Sequence, residues 1–186
     1  MAKVSSGQRP WVPIDVIHRE RLDVILEEYG IASRVDEAMR VEMNLWWHIL
    51  DPWPDSVPGL RRLSRDYIIG PLSNGSTILL VTMAKRAAIP WDVIMSSDVC
   101  QAYKPQDAAY LNACSALGLR PDEVMMCAAH NGDLLAASKH GMRTAFICRP
   151  TEHGANQKLN LCANGPWDVC TDHIGGIADA LLAPQK

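Results

Sequence analysis

No two cysteines stand in a C-x-x-C arrangement, no apolar run approaches the length of a membrane span, and neither sign of charge is in large excess. Each absence excludes something. Six scattered cysteines (Cys100, Cys114, Cys127, Cys148, Cys162, Cys170) match no small disulfide framework, so reduced thiols and a cytoplasmic location are expected. A net charge of -3 leaves no electrostatic footprint for nucleic acid or an anionic membrane, and neither is expected as a partner. The first eleven residues are polar and lack the apolar core of a signal peptide. Internal repeats, low-complexity stretches and coiled-coil heptads are also absent. Cys162, Cys170, His173 and His153 come nearest to a metal cluster, but Cys-x7-Cys-x2-His is not a standard zinc spacing.

What is present suits one globular domain, or a domain with a small appendage: 186 residues, 48% hydrophobic and 21% charged. Residues 1 to 12 read as loop. Apolar residues at helical spacing predict a helix over 15–29, stopped by Gly30, and a second over 33–50 with Ser33 or Asp36 at its start. Trp46 and Trp47 on that second face are expected in a core. Pro52, Pro54 and Pro58 then predict a stiff connector over 51–59, so residues 13–57 form one unit and 58–186 another. Beyond it, apolar runs at 67–72, 93–95, 124–129 and 144–148 alternate with helical stretches at 77–88, 107–117 and 134–140, and a last helix covers 174–182. That alternation predicts an α/β fold, a Rossmann-like parallel sheet flanked by helices. His18 and His140 are expected on helix surfaces.

Three of the predicted strand ends carry polar groups: Ser73-Asn74-Gly75, Lys104-Pro105 after Tyr103, and His130-Asn131-Gly132-Asp133. Ligands of open parallel sheets bind beyond the carboxyl ends of the strands, so a cation, a carboxylate and a hydroxyl–amide pair are brought to one edge. Together they suit an anionic small molecule. Taken singly, Ser73 or Asn74 is equally a helix cap, and Asp133 a first-turn acid.

The order of these motifs resembles the haloacid dehalogenase superfamily. Leu72-Ser-Asn-Gly75, Tyr103-Lys-Pro105 and Ala128-Ala-His-Asn-Gly-Asp-Leu134 are similar to its type II 2-haloacid dehalogenase branch, as are Arg9-Pro-Trp11, Asp51-Pro-Trp-Pro-Asp55 and Arg149-Pro-Thr-Glu152. The resemblance covers nearly the whole chain. It implies a haloacid dehalogenase-like core with a partial helical cap over 13–57. It also implies hydrolysis of short 2-haloalkanoic acids through an aspartyl ester, without a cofactor, with homodimerisation expected. By resemblance, Ser73, Asn74 and His130 bind the substrate carboxylate, while Lys104, Asp133 and Asn131 serve catalysis. Lys104 would pair with the nucleophile, Asp133 would orient Lys104 and the hydrolytic water, and which of His130 and Asn131 faces the site stays open. Magnesium is not expected: phosphatases of the superfamily place a second acid four positions before the last, and here that position is Ala129.

The family's nucleophile sits in Asp-x-x-Gly-Thr at the end of the central first strand, and no such motif occurs in this sequence. Asp15 is nearest in position, yet its surroundings match a cap helix. The reading is therefore of a chain truncated at its N-terminus, lacking the central first strand and inactive alone, with strand edges left open. The alternative is a non-catalytic protein that binds small carboxylates, or an inert fragment.

Overall fold

The computed structural model describes residues 2–183. Its sheet is parallel, in the order β1 (Met125–Ala128), β2 (Arg143–Ile147), β3 (Val169–Thr171). Helices α1 (Ala2–Ser5), α2 (Ile14–Glu28), α3 (Glu37–Leu45), α4 (Ser56–Leu63), α5 (Thr77–Ala87), α6 (Ser97–Cys100) and α7 (Asp107–Leu117) precede it in the chain, α8 (Asn131–Ser138) lies between β1 and β2, and α9 (Ile174–Leu182) follows β3. This is the α/β architecture that the alternation predicts. No helix among the described residues is long and apolar enough to cross a membrane.

The middle strand explains the layers. In β2 the side chains alternate between faces. Thr144 and Phe146 turn to one side, where Phe146 joins Tyr110 and Cys114 of α7 with Leu134 and Ala137 of α8. Ala145 and Ile147 turn to the other, against Leu60 and Leu63 of α4 and Ile177 and Ala178 of α9. Covered on both faces, β2 reads as a nearly continuous apolar run, as strands of parallel sheets do.

Several local expectations are corrected. The helix over 33–50 is broken, because the Asp36 side chain accepts from the Met39 amide and starts α3 there. Short 3-10 turns at Ala32–Arg34 and Trp46–Ile49 occupy the rest. Trp46 and Trp47 are half exposed rather than core. The proline-rich connector is helical from Ser56, since Pro58 falls in the first turn of α4, where an N–H needs no partner. Residues 2–5, read as loop, form α1, and β3 was not foreseen. His18 is half-buried against Trp47, and burial lowers its pKa. His140 packs near Tyr110 and faces Asp107.

The two predicted strands at 67–72 and 93–95 shrink to one bridge, Leu72 with Met95. Their backbones still run side by side: Met95 N donates to Pro71 O at 3.0 Å and Ser73 N to Met95 O at 3.1 Å. Pro71 has no N–H to extend the ladder. Gly70 allows the approach, as a Cβ there would lie 2.6 Å from the Val93 carbonyl oxygen. This pair does not join β1, which ends the three-stranded order on that side.

Polar side chains tie the first helices to the rest. Asp15 accepts from Ser76 Oγ at 2.5 Å and lies 2.9 Å from His48 Nε2, while Ser76 also caps α5 at the Leu79 amide. Buried Tyr103 donates to the Val12 carbonyl at 2.6 Å. Asp55 joins α4 to α9 by accepting from Arg149 and from the Ile174 amide.

The tightest seam lies between α4 and α9: a Cβ on Gly59 would sit 2.6 Å from Ile174 Cγ2 and 2.8 Å from the Gly175 amide nitrogen. Gly59→Ala should therefore cost about 1–3 kcal/mol of stability in urea melts. Gly132→Ala, with nothing within 4 Å of its added Cβ, should be neutral or stabilise by about 0.5–1 kcal/mol.

Candidate active site

An open cleft of about 460 Å³ is lined by Asn74, Lys104, Pro105, Tyr110, His130, Gly132 and Asp133. Three segments build it. Lys104 follows the turn after α6, and Gln106 closes that turn by accepting from the Tyr103 amide. Asp133 stands in the first turn of α8, directly beyond β1. Tyr110 comes from the buried face of α7.

Lys104 Nζ lies 2.5 Å from Asp133 Oδ2, and Tyr110 donates its hydroxyl to Asp133 Oδ1 at 2.6 Å. The Lys104 and Asp133 side chains are only 17% and 13% exposed. Both oxygens of one carboxylate are thus engaged, one by a cation and one by a neutral donor. Burial, reinforced by the hydrogen bond to Asp133, pushes the Tyr110 hydroxyl well above the ordinary tyrosine pKa. Sequence reasoning missed Tyr110. Its signal was a lone ring hydroxyl on the buried stripe Ala109, Tyr110, Ala113, Cys114 of the helix that follows Lys104-Pro105.

Asn74 lines the cleft and also holds the segment that carries the lysine. Its Oδ1 accepts from the Lys104 amide at 2.7 Å and its Nδ2 donates to the Lys104 carbonyl at 3.3 Å, so it clamps the backbone of the lysine that enters the cleft. Ser73 Oγ accepts from the Gly75 amide at 3.0 Å, an arrangement that leaves its proton to give.

Of the neighbours whose orientation was open, His130 lines the cleft and Asn131 faces away from it. Buried Asn131 donates from Nδ2 to Asn160 Oδ1 and the Cys162 carbonyl. Its Oδ1 accepts from the Asn164 amide and Trp167 Nε1. With both amide hydrogens and both lone-pair positions taken inside the protein, it pins the loop 160–167. Asp15 is not among the residues lining the cleft, and its carboxylate is bound to Ser76 and His48.

The donor set does not suit magnesium. Ala129 carries no side-chain oxygen at the end of β1, and the Asp133 oxygens already serve Lys104 and Tyr110.

A cleft with a half-buried lysine–aspartate pair, at the end of a parallel sheet covered by helices on both faces, marks an α/β protein with its site beyond the strand ends. No family model matches the chain. Among curated proteins, (S)-2-haloacid dehalogenase 4A of Burkholderia cepacia is 31% identical over 133 residues, covering 70% of this chain and 57% of that protein. The (S)-2-haloacid dehalogenase 1 of Pseudomonas sp. strain CBS-3 is also 31% identical over 133 residues, with 70% and 58% covered. The chain thus spans a little over half the length of these relatives. The crystal structure of a defluorinating L-2-haloacid dehalogenase superposes with a TM-score of 0.96 at 51% identity, covering 98% of this chain and 75% of that one. That of another L-2-haloacid dehalogenase gives 0.95 at 42% identity, with 98% and 78% covered. The chain belongs to the L-2-haloacid dehalogenases of the haloacid dehalogenase superfamily.

A tyrosine pKa raised by folding adds stability in full below the unfolded value near 10.0, and that stability is lost as pH climbs past it. Tyr110→Phe should leave the amplitude of the tyrosinate absorbance change near pH 10 unaltered, since Tyr110 does not ionise there while folded. It should also flatten the alkaline fall in melting temperature.

Proposed function

We propose that this chain supplies the lysine, its aspartate and the anion-holding corner for the hydrolytic dehalogenation of short 2-haloalkanoic acids. The observation that carries this reading is the Lys104–Asp133–Tyr110 arrangement at the base of an open cleft. The Lys104 ammonium attracts a carboxylate into the cleft and holds an attacking carboxylate in its charged form. Asp133, fixed by Tyr110, sets the position of that ammonium and faces the water that later cleaves the ester. The Ser73 hydroxyl and His130 meet the substrate carboxylate, and Asn74 serves them by holding Lys104 in place. A carboxylate displaces halide from C2, forming an ester with inversion, and water hydrolyses the ester to the 2-hydroxy acid. Splitting one difficult displacement into two steps is the gain of covalent catalysis.

The attacking carboxylate is the part that these 186 residues do not present in an Asp-x-x-Gly-Thr motif. We assign it to a segment outside them, lying between the Leu72–Met95 pair and β1. The exposed side chain of Cys127 on β1 supports such a gap. We further assign residues 13–57 to a helical cap and the protein to the cytoplasm, where its six free thiols stay reduced. A homodimer would draw on the exposed apolar side chains Met39, Val41, Leu45 and Trp46.

A second reading, binding of a small carboxylate without turnover, is favoured by the same open cleft with its engaged lysine. One experiment separates the two. With 2-chloropropionate, the 186-residue chain should gain melting temperature by mass action, lose that gain in Lys104→Ala, and release no chloride. Chloride release that disappears in Lys104→Ala would show the attacking group to be within these residues. An unchanged melting temperature would overturn the anion-holding role.

A further inference from the structure

We propose that His130, Glu152 and His153 form a site for a borderline transition-metal cation, with Zn²⁺ as the type case, at the rim of the cleft. Their side-chain ligand atoms all lie within 4.8 Å of one another. His130 Nε2 is 2.9 Å from Glu152 Oε2, and the two imidazole rings are parallel to within 4°, with centroids 6.2 Å apart. Two imidazoles and a carboxylate are a donor set that suits zinc, copper or nickel and that magnesium or calcium does not choose. For bonds of about 2.1 Å to a tetrahedral ion, donors stand about 3.4 Å apart, so no separation need close by more than roughly 1.4 Å. Rotation of exposed side chains is enough for that. Three protein ligands leave a coordination position for water or for a carboxylate arriving at the cleft, because His130 also lines it.

The backbone around these three residues is fixed from several directions, which separates the cluster from a chance meeting of surface side chains. His130 stands at the N-cap of α8, two residues beyond β1, and its carbonyl accepts from the Asp133 and Leu134 amides. Glu152 and His153 lie on a loop held by Gln157, whose Oε1 accepts from the His153 amide at 2.9 Å. Its Nε2 donates to the Arg149 and Leu159 carbonyls at 3.0 and 2.9 Å. Arg149 is anchored in turn, by Asp55 at 2.6 Å and over the Trp53 ring at 4.9 Å. At the far end, Asn160 Oδ1 accepts from the Asn131 amide at 3.0 Å, so the loop is tied to the residue adjoining His130. The backbones are therefore set before an ion arrives, and only side-chain freedom is lost on binding.

This inference does not depend on the dehalogenase reading. The test is a Co²⁺ titration of the full chain, followed by visible absorbance, with Zn²⁺ displacing the Co²⁺. Exposed thiols are the competing ligands, and cobalt distinguishes them by an intense thiolate charge-transfer band. We expect one equivalent to bind with ligand-field bands and without the thiolate band, and its affinity to fall by about tenfold or more in His153→Ala and in Glu152→Gln. Both variants should melt like the parent chain without metal, as both residues lie in an exposed loop. Binding that both variants retain, a spectrum dominated by thiolate, or no binding up to millimolar Co²⁺ would each overturn the proposal.

Discussion

The Asp133 carboxylate accepts from two groups that reach it on separate elements, the Lys104 ammonium beyond α6 and the Tyr110 hydroxyl on α7. Withdrawing a lysine and an aspartate from water costs several kcal/mol per ion, and their attraction offsets this only when the remaining hydrogen-bond positions are filled. Tyr110 fills one of them. The position of α8 against α7, and of the Lys104 turn against both, is therefore bound to a single carboxylate. Displacing any one of the three elements strands a charge that water reaches poorly. This constraint also holds a cation in the lining of the cleft in a defined pose.

Short polar side chains hold the loops that the sheet does not reach. Asn74 grips both backbone groups of Lys104, and Asn131 spends its whole amide on the segment 160–167. Asp15 reaches from α2 to the cap of α5, and Asp55 joins α4, α9 and Arg149. Desolvation works against the Asp55 carboxylate, yet the hydrogen bonds from Arg149 and Ile174 outweigh it and keep its pKa below the ordinary aspartate value. Each such residue fills backbone or charged groups that would otherwise be buried without partners. Much of this polar framework supports the cleft rather than entering it.

The sheet itself is lopsided. One side of β1 pairs with β2 in register, while the Leu72–Met95 bridge stands apart as a second, shorter pair. The exposed Cys127 thiol stands on β1. Asn74 and His130, just beyond the ends of the two pairs, nevertheless line the same cleft.

Much of this protein was legible in its residues. Helical spacing marked α2, α5, α7 and α9 nearly to the residue, because each buries one stripe against the sheet or a neighbouring helix. Apolar runs marked β1 and β2, and Lys104 and Asp133 stood out as charges at strand ends. Local pattern failed where a nonlocal partner decides the outcome. Asp36 capping turned one long helix into three pieces, and Pro71 with Gly70 reduced two strands to a bridge. Nothing in periodicity could separate Asn74 as a backbone clamp from Asn74 as a ligand group, or turn Asn131 away from the cleft and His130 toward it. Sequence by itself determined which side chains carry charge and which faces are apolar, since those are properties of single residues and their spacing. Tertiary structure alone decided who meets whom: Tyr110 with Asp133, Asn131 with Trp167, and Glu152 with His130. Those pairings depend on how the chain returns to itself over 20 or more residues.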